Sequence, residues 1–334
     1  MGYRPVFKIT PRLLASAETI AALREKILAA AVQVPWIPRL QKEARARTAH
    51  SSTAIEGNPL TLAEVQALEE GRDLPVSSDR ARREVLNYFA GLRHIEKNVI
   101  KKRLAHEDIL KLHSIIAGGV MDQGAAGQYR RIAVRVGSFV PPPAVEVSGL
   151  MRALLEWWNV ESASHSPIVS SAVLHYRFEE IHPFADGNGR TGRAIALWEL
   201  YRRGFDTHHI FSVDEFYWND RPRYYSELKA VRRAGGDLTG WLEYAAEGLH
   251  RTLETVWKRI QGIVAETRDQ RIFLQPKQET LLRLLEDRRS LAPREIWEAL
   301  GVTRQGAAKL IKPLVEAGFI RRVGGKKTGQ YIKA

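Results

Sequence analysis

Two stripes of apolar residues with the period of an α-helix meet across a glycine-rich turn, and this junction restricts the fold more than any other stretch of the chain. Val169, Ala172, Val173 and Tyr176 recur at helix spacing before the turn; Ala194, Leu197, Trp198 and Tyr201 recur after it. The turn, Gly187-Asn188-Gly189-Arg190-Thr191-Gly192, fits G-x-G-x-x-G, the fingerprint of dinucleotide-binding βαβ units. That fingerprint needs a strand ahead of it, whereas Phe178-Glu179-Glu180-Ile181 closes a helical stripe and no parallel strands follow. A doubly wound sheet is thereby excluded. The turn joins two helices, the second running from near Asn188 to a stop at Gly204.

The rest of the chain is also mainly α. Helices are expected from Arg12 to Val32, from Leu40 to Ile55, from a Thr61/Glu64 capping box through Glu70, and from Leu238 to Arg268. One hairpin is expected between Tyr129 and Pro143, where Ile132, Val134 and Val136 alternate with Ala133, Arg135 and Gly137 ahead of three prolines. After Pro276, three short helices and an alternating segment around Gly324-Gly325 resemble a winged helix-turn-helix. The organisation read from this is a helical region over 1–100, a core over 101–248, a linking helix over 249–274 and a winged-helix domain over 275–334.

The run from His182 to Arg193 has the parts that phosphate chemistry needs. A neutral His182 at a helix end can take a proton from a hydroxyl. Asp186 is a single carboxylate of the kind that holds Mg²⁺ together with substrate phosphates. The amides of Gly187, Asn188 and Gly189 precede a helix, so unpaired N–H groups and the positive end of the dipole face a bound anion. Arg190 and Arg193, three apart, are expected to face the same side and meet a polyphosphate.

In this order the residues resemble the Fic signature H-x-F-x-[D/E]-G-N-G-R-x-x-R, with all eight specified positions matched. The resemblance spans roughly 13–248 and implies a Fic-type helical core with a β-hairpin flap. By the family's scheme His182 activates a target hydroxyl, Asp186 binds Mg²⁺, and the loop from Gly187 through Gly192, with Arg193, holds ATP. AMP then passes to a Ser, Thr or Tyr of a protein substrate, or of the chain itself. Ser52-Thr53-Ala54-Ile55-Glu56-Gly57 resembles the family's inhibitory motif [S/T]-x-x-x-E-[G/N], which implies that Glu56 pairs with Arg193 and blocks ATP. Val136, Gly137, Ser138 and Phe139 look like the family's flap, where a target segment adds a strand. Tyr224 and Tyr225 look like tyrosines of the nucleotide pocket, although a place in the core would explain them equally.

Two other readings stand beside adenylyl transfer. The same site could run backward as a de-adenylylating hydrolase, with Glu56 orienting water, or the chain could be an ATP-sensing DNA-binding regulator. The formal charge of +13 suits phosphate-bearing or acidic partners. Thirteen Lys/Arg against six Asp/Glu fall in 275–334, so more than half of the excess is C-terminal. Thr303-Arg304-Gln305 would open a recognition helix, with Arg321, Arg322, Lys326 and Lys327 on the wing, but Pro313 interrupts the helix that would enter a groove. A docking or homodimerising role is therefore preferred to DNA binding. No apolar run approaches the ~20 residues of a membrane span. Without cysteine or an N-terminal basic–apolar signal, a cytoplasmic setting is expected.

Overall fold

The structure is a computed structural model that describes all residues except 1, 32–36, 75–77, 206–208, 270–275, 289, 317, 326–328 and 334. The chain divides into two compact units, Met1–Ile260 and Gln261–Ala334.

The first unit is helical: α1 (Pro11–Ala31), α2 (Ile37–Ile55), α3 (Leu62–Glu69), α4 (Asp79–Asn98), α5 (His106–Ala117), α6 (Val147–Val160), α7 (Pro167–Ile181), α8 (Asn188–Arg202), α9 (Asp214–Asn219) and α10 (Arg221–Arg233). The long α11 (Thr239–Asp269) starts in this unit and crosses its boundary. Local chemistry sets several ends. The capping box of α3 forms as its sequence predicts, Thr61 accepting from the Glu64 amide while Glu64 accepts from the Thr61 amide. Ser166 caps α7 ahead of Pro167, which occupies the first turn where a missing N–H costs nothing.

Helices α7 and α8 form the most extensive pair, because both are buried nearly all round. Gly192 permits the approach: a Cβ there would lie 2.6 Å from a Glu179 oxygen and 3.1 Å from the Phe178 ring. A fully buried carboxylate, Glu199, joins three helices by accepting from Trp158 Nε1 at 2.6 Å and Ser170 Oγ at 2.7 Å, with Arg202 and Arg203 supplying its counter-charge. Behind α7, His175, Tyr217, Tyr224, Trp241 and Tyr244 make an aromatic cluster, and Trp241 donates to the Ala172 carbonyl at 2.8 Å.

The expected hairpin is present in reduced form. Val136 and Phe139 exchange both backbone hydrogen bonds, at 2.9 and 3.0 Å, around a turn that needs the positive φ of Gly137. No longer ladder forms between Tyr129 and Pro143. The Arg130 guanidinium takes the carbonyls of Ile132 and Pro142, groups a ladder would use, and the three prolines carry no N–H.

The second unit comprises α12 (Pro276–Arg288), α13 (Pro293–Ala299), α14 (Arg304–Glu316) and the antiparallel pair β1 (Ile320–Val323) and β2 (Gln330–Lys333). Its core gathers Leu281, Leu285, Ile296, Ala307, Leu314 and Ile320. Helix α14 continues three residues past Pro313. Lys326 and Lys327 lie outside the described residues. The β1–β2 pair is the only sheet among the described residues, in keeping with the exclusion of a parallel one.

Candidate active site

Helix α7 ends at His182, which adopts φ 50 and ψ 60 as its C-cap and donates its amide to Phe178 O at 2.9 Å. A left-handed residue without glycine costs about 1–2 kcal/mol, more so ahead of a proline, so its neighbours must enforce it. Arg130 does so. Its Nε donates to His182 O at 2.8 Å, its backbone N–H donates to Pro183 O at 2.9 Å, and its guanidinium also reaches Ile181 O. Arg130 is 4% exposed and was not among the residues singled out from sequence.

The loop after His182 is held from within and from behind. Asn188 Oδ1 accepts from the Phe184 amide and its Nδ2 donates to Phe184 O, each at 2.9 Å. His113 stacks on Phe184 with 3.5 Å between ring centroids, and its Nδ1 accepts from the Gly127 amide. Its Nε2 therefore carries the proton and donates to Asp186 O at 2.9 Å. Burial lowers the His113 pKa to about 4, as this neutral tautomer requires. Gly187 starts α8 at φ +76, where a Cβ would also press on His113 and Ala117. The Gly187 amide donates to its neighbour Asp186.

His182 is itself neutral. Burial is the main cause and lowers its pKa to about 4, against a partial rise from the Glu179 carbonyl and from Glu56. Nδ1 lies 3.3 Å from Glu179 O, so with the proton there Nε2 is left as the acceptor. Glu179, also missed in the sequence, is largely buried, its side chain 12% exposed; desolvation raises its carboxyl to about 7, and its Oε2 stands 3.7 Å from His182 Nδ1.

Glu56 meets Arg193 across the start of α8. Helix α2 stops at Ile55, and Gly57, at φ +96, makes the turn that follows it. Arg193 is buried and donates to Ser52 Oγ at 2.9 Å, Ser52 O at 2.7 Å and Glu56 Oε1 at 2.8 Å. The Glu56 carboxylate lies directly over Gly189, where an added Cβ would be 2.1 Å from Oε1. A carboxylate thus already sits at the amino end of α8. Asp214 and Tyr88, hydrogen-bonded to each other at 3.1 Å, add to the buried polar shell near Arg193.

The two arginines three apart meet different partners. Arg190 is 4% exposed and turns to Glu84 and Asp186, at 3.7 and 3.8 Å. Thr191 is buried and its hydroxyl donates to Gly187 O. Tyr224 is buried, with its hydroxyl 3.0 Å from His175 Nε2, while the Tyr225 hydroxyl approaches Ile55 O at 3.5 Å. Val136 and Val140 of the flap are exposed, and Arg232 lies over the Phe139 ring at 4.1 Å. Asp186 keeps a third of its side chain exposed. Among the described residues no cluster of three His, Asp or Glu forms a self-sufficient metal cage. One open carboxylate fits Mg²⁺ only in the mode where substrate phosphates complete the shell.

This junction of helices, left-handed histidine and glycine cradle coincides with a known family: residues 103–200 match the Fic/DOC family. Those residues are a Fic domain. Protein adenylyltransferase Fic of Drosophila willistoni is 33% identical over 219 residues, 65% of this chain and 42% of the relative. Protein adenylyltransferase Fic of Aedes aegypti is 32% identical over 222 residues, 65% of this chain and 43% of the relative. The chain thus spans under half the length of these curated relatives. The crystal structure of a Fic family protein from Desulfovibrio desulfuricans G20 superposes with a TM-score of 0.69, at 28% identity, over 99% of this chain and 98% of that one. The Fic domain and its helical fold agree with the reading of the sequence. No described helix is long and apolar enough to cross a membrane.

Proposed function

We propose that this chain is a protein adenylyltransferase, moving AMP from ATP to a hydroxyl of a protein, and that Glu56 restrains it. The observation that carries the reading is the carboxylate of Glu56 lodged between Gly189 and Arg193, beside a neutral, buried His182. An anion already rests where the helix end would hold a phosphate.

Nε2 of His182 takes the proton as the hydroxyl oxygen attacks the α-phosphorus of ATP; the bond to the bridging oxygen breaks and pyrophosphate leaves. The cradle of α8 stabilises charge on the phosphates, and Arg193, once free of Glu56, meets the terminal one. Asp186 would hold Mg²⁺, which when bound neutralises phosphate charge. The exposed edge of the flap at Val136–Phe139 suits main-chain pairing with an extended segment of the target.

The hydrolytic direction has one point in its favour: Glu56 is a third exposed, and one of its oxygens is committed to Arg193. The helices and hairpin of the second unit we read as a winged helix-turn-helix used for docking rather than for DNA. Intact-mass measurement of Glu56→Gly protein incubated with each nucleoside triphosphate tests the reaction. A gain of one AMP from ATP is expected; no gain with any nucleotide would overturn it.

A further inference from the structure

Helix α2 has a second polar surface, on which Arg47 is joined by Arg223, Arg251 and Arg259 around an open cavity of about 440 Å³. Two carboxylates, Glu215 and Asp220, also line it; Arg47 pairs with Glu215, while Arg223 and Arg251 both pair with Glu247, at 2.9 and 2.7 Å, which leaves Arg259 as the wall cation without an ion pair among the described residues. No residue of the His182–Arg193 loop contributes to its wall.

Three groups on this wall lack partners that protein atoms ordinarily supply. Arg259 has no carboxylate within 4 Å among the described residues, and burial and the neighbouring Arg47 cation both disfavour its charge. Arg47 pairs with Glu215 through one nitrogen at 2.7 Å, but its Nε is buried and unbonded. The Ser212 hydroxyl is buried and unbonded as well. Buried donors without acceptors cost about 1–3 kcal/mol each, and a cation beside another cation adds to that. An oxyanion with several acceptor oxygens would pair Arg259 and offset the repulsion that it meets from Arg47. The floor is apolar, with Phe216, Ile210 and Val256 lining it, so the anion would carry a small apolar or ring-bearing group.

We propose that this cavity binds a small phosphate monoester, separately from the nucleotide cradle, with Arg259 as its principal charge contact. The inference does not depend on the adenylyl-transfer reading. Calorimetric titration of the full chain with phenyl phosphate, inorganic phosphate and succinate tests it. Phenyl phosphate is expected to bind tightest and succinate, of equal charge, most weakly. Arg259→Ala should weaken phenyl phosphate at least tenfold, Arg259→Lys less, and Gly189→Ala, which closes the cradle, should leave it unchanged. Arg251→Ala, at a more exposed wall position, gives a second loss should Arg259→Ala not fold. Absence of saturable binding, equal affinity for succinate, undiminished affinity in Arg259→Ala, or loss in Gly189→Ala, which would place the anion in the cradle, would each overturn the proposal.

Discussion

Glu56 Oε1 lies 2.8 Å from Arg193 Nη2, and the same oxygen stands where a Cβ on Gly189 would have to go. One carboxylate therefore neutralises the arginine and fills the space over the cradle. Ser52, one turn earlier on α2, holds the same guanidinium through both its hydroxyl and its carbonyl, so the pair is positioned by the helix rather than by the ionic attraction alone.

Glu56→Gly should raise AMP incorporation at least tenfold, an increase equal to about 1.4 kcal/mol of competition removed from the site. It should also lower stability by about 1–3 kcal/mol, since Arg193 stays buried with its Ser52 contacts but loses its carboxylate. Radiolabel transfer and thermal unfolding check the two effects. Unchanged transfer, with folding intact, would remove Glu56 from the restraint.

His182→Ala should abolish transfer and leave ATP affinity in the Glu56→Gly background within a few-fold, because only the base is lost. With a histidine pKa near 4, kcat/KM should rise through about pH 4 and then stay level toward neutrality instead of turning on near 6.5. A profile with its acid limb near 6.5 would contradict the buried, neutral imidazole.

Glu179 and His182 should oppose each other in stability against pH. The raised Glu179 carboxyl stabilises the fold below its ordinary value of 4.5, and that stability is lost as pH rises through about 7. The lowered His182 contributes stability above 6.5 that is lost as pH falls toward about 4. Glu179→Gln should remove the loss between pH 4.5 and 7, measurable as a flatter melting temperature across that window. An unaltered slope would mean that Glu179 is ionised throughout.

Gly189→Ala should weaken ATP binding at least tenfold even when combined with Glu56→Gly, because the methyl group occupies the approach of the phosphate and not only that of Glu56. Full recovery of affinity in the double variant would show that the clash is with Glu56 alone. Nucleotide titration by calorimetry separates these outcomes.

Arg130→Ala should cost about 2–4 kcal/mol of stability and reduce kcat, since several backbone carbonyls lose their donor and His182 loses the clamp on its left-handed conformation. Arg130→Lys should recover little, because a single ammonium cannot span carbonyls that the planar fork reaches together. Chemical denaturation and initial rates check both.

Much of the site was legible because its parts are neighbours in sequence. His182, Asp186, Gly187, Gly189 and Arg193 fall within twelve residues, and the apolar period on either side already demanded two helices. Glu56 was legible only through resemblance, since a helix-ending Glu-Gly has no chemistry of its own. Arg130, His113, Glu179 and Asp214 gave no signal. The chain has 51 Lys and Arg and 10 His, and nothing local marks which of them will be buried.

Helix positions, the turn at 187–192, and the place of His182 at a helix end follow from sequence, because period, capping and glycine conformation act over a few residues. Tertiary structure alone decided that Arg130 would cross 52 residues to hold His182, that Arg190 and Arg193 would part company, and that Ser52 would reach Arg193 across 141 residues. Those choices depend on which buried polar groups find partners once the helices pack. That is a property of the whole arrangement in space, which no local pattern encodes.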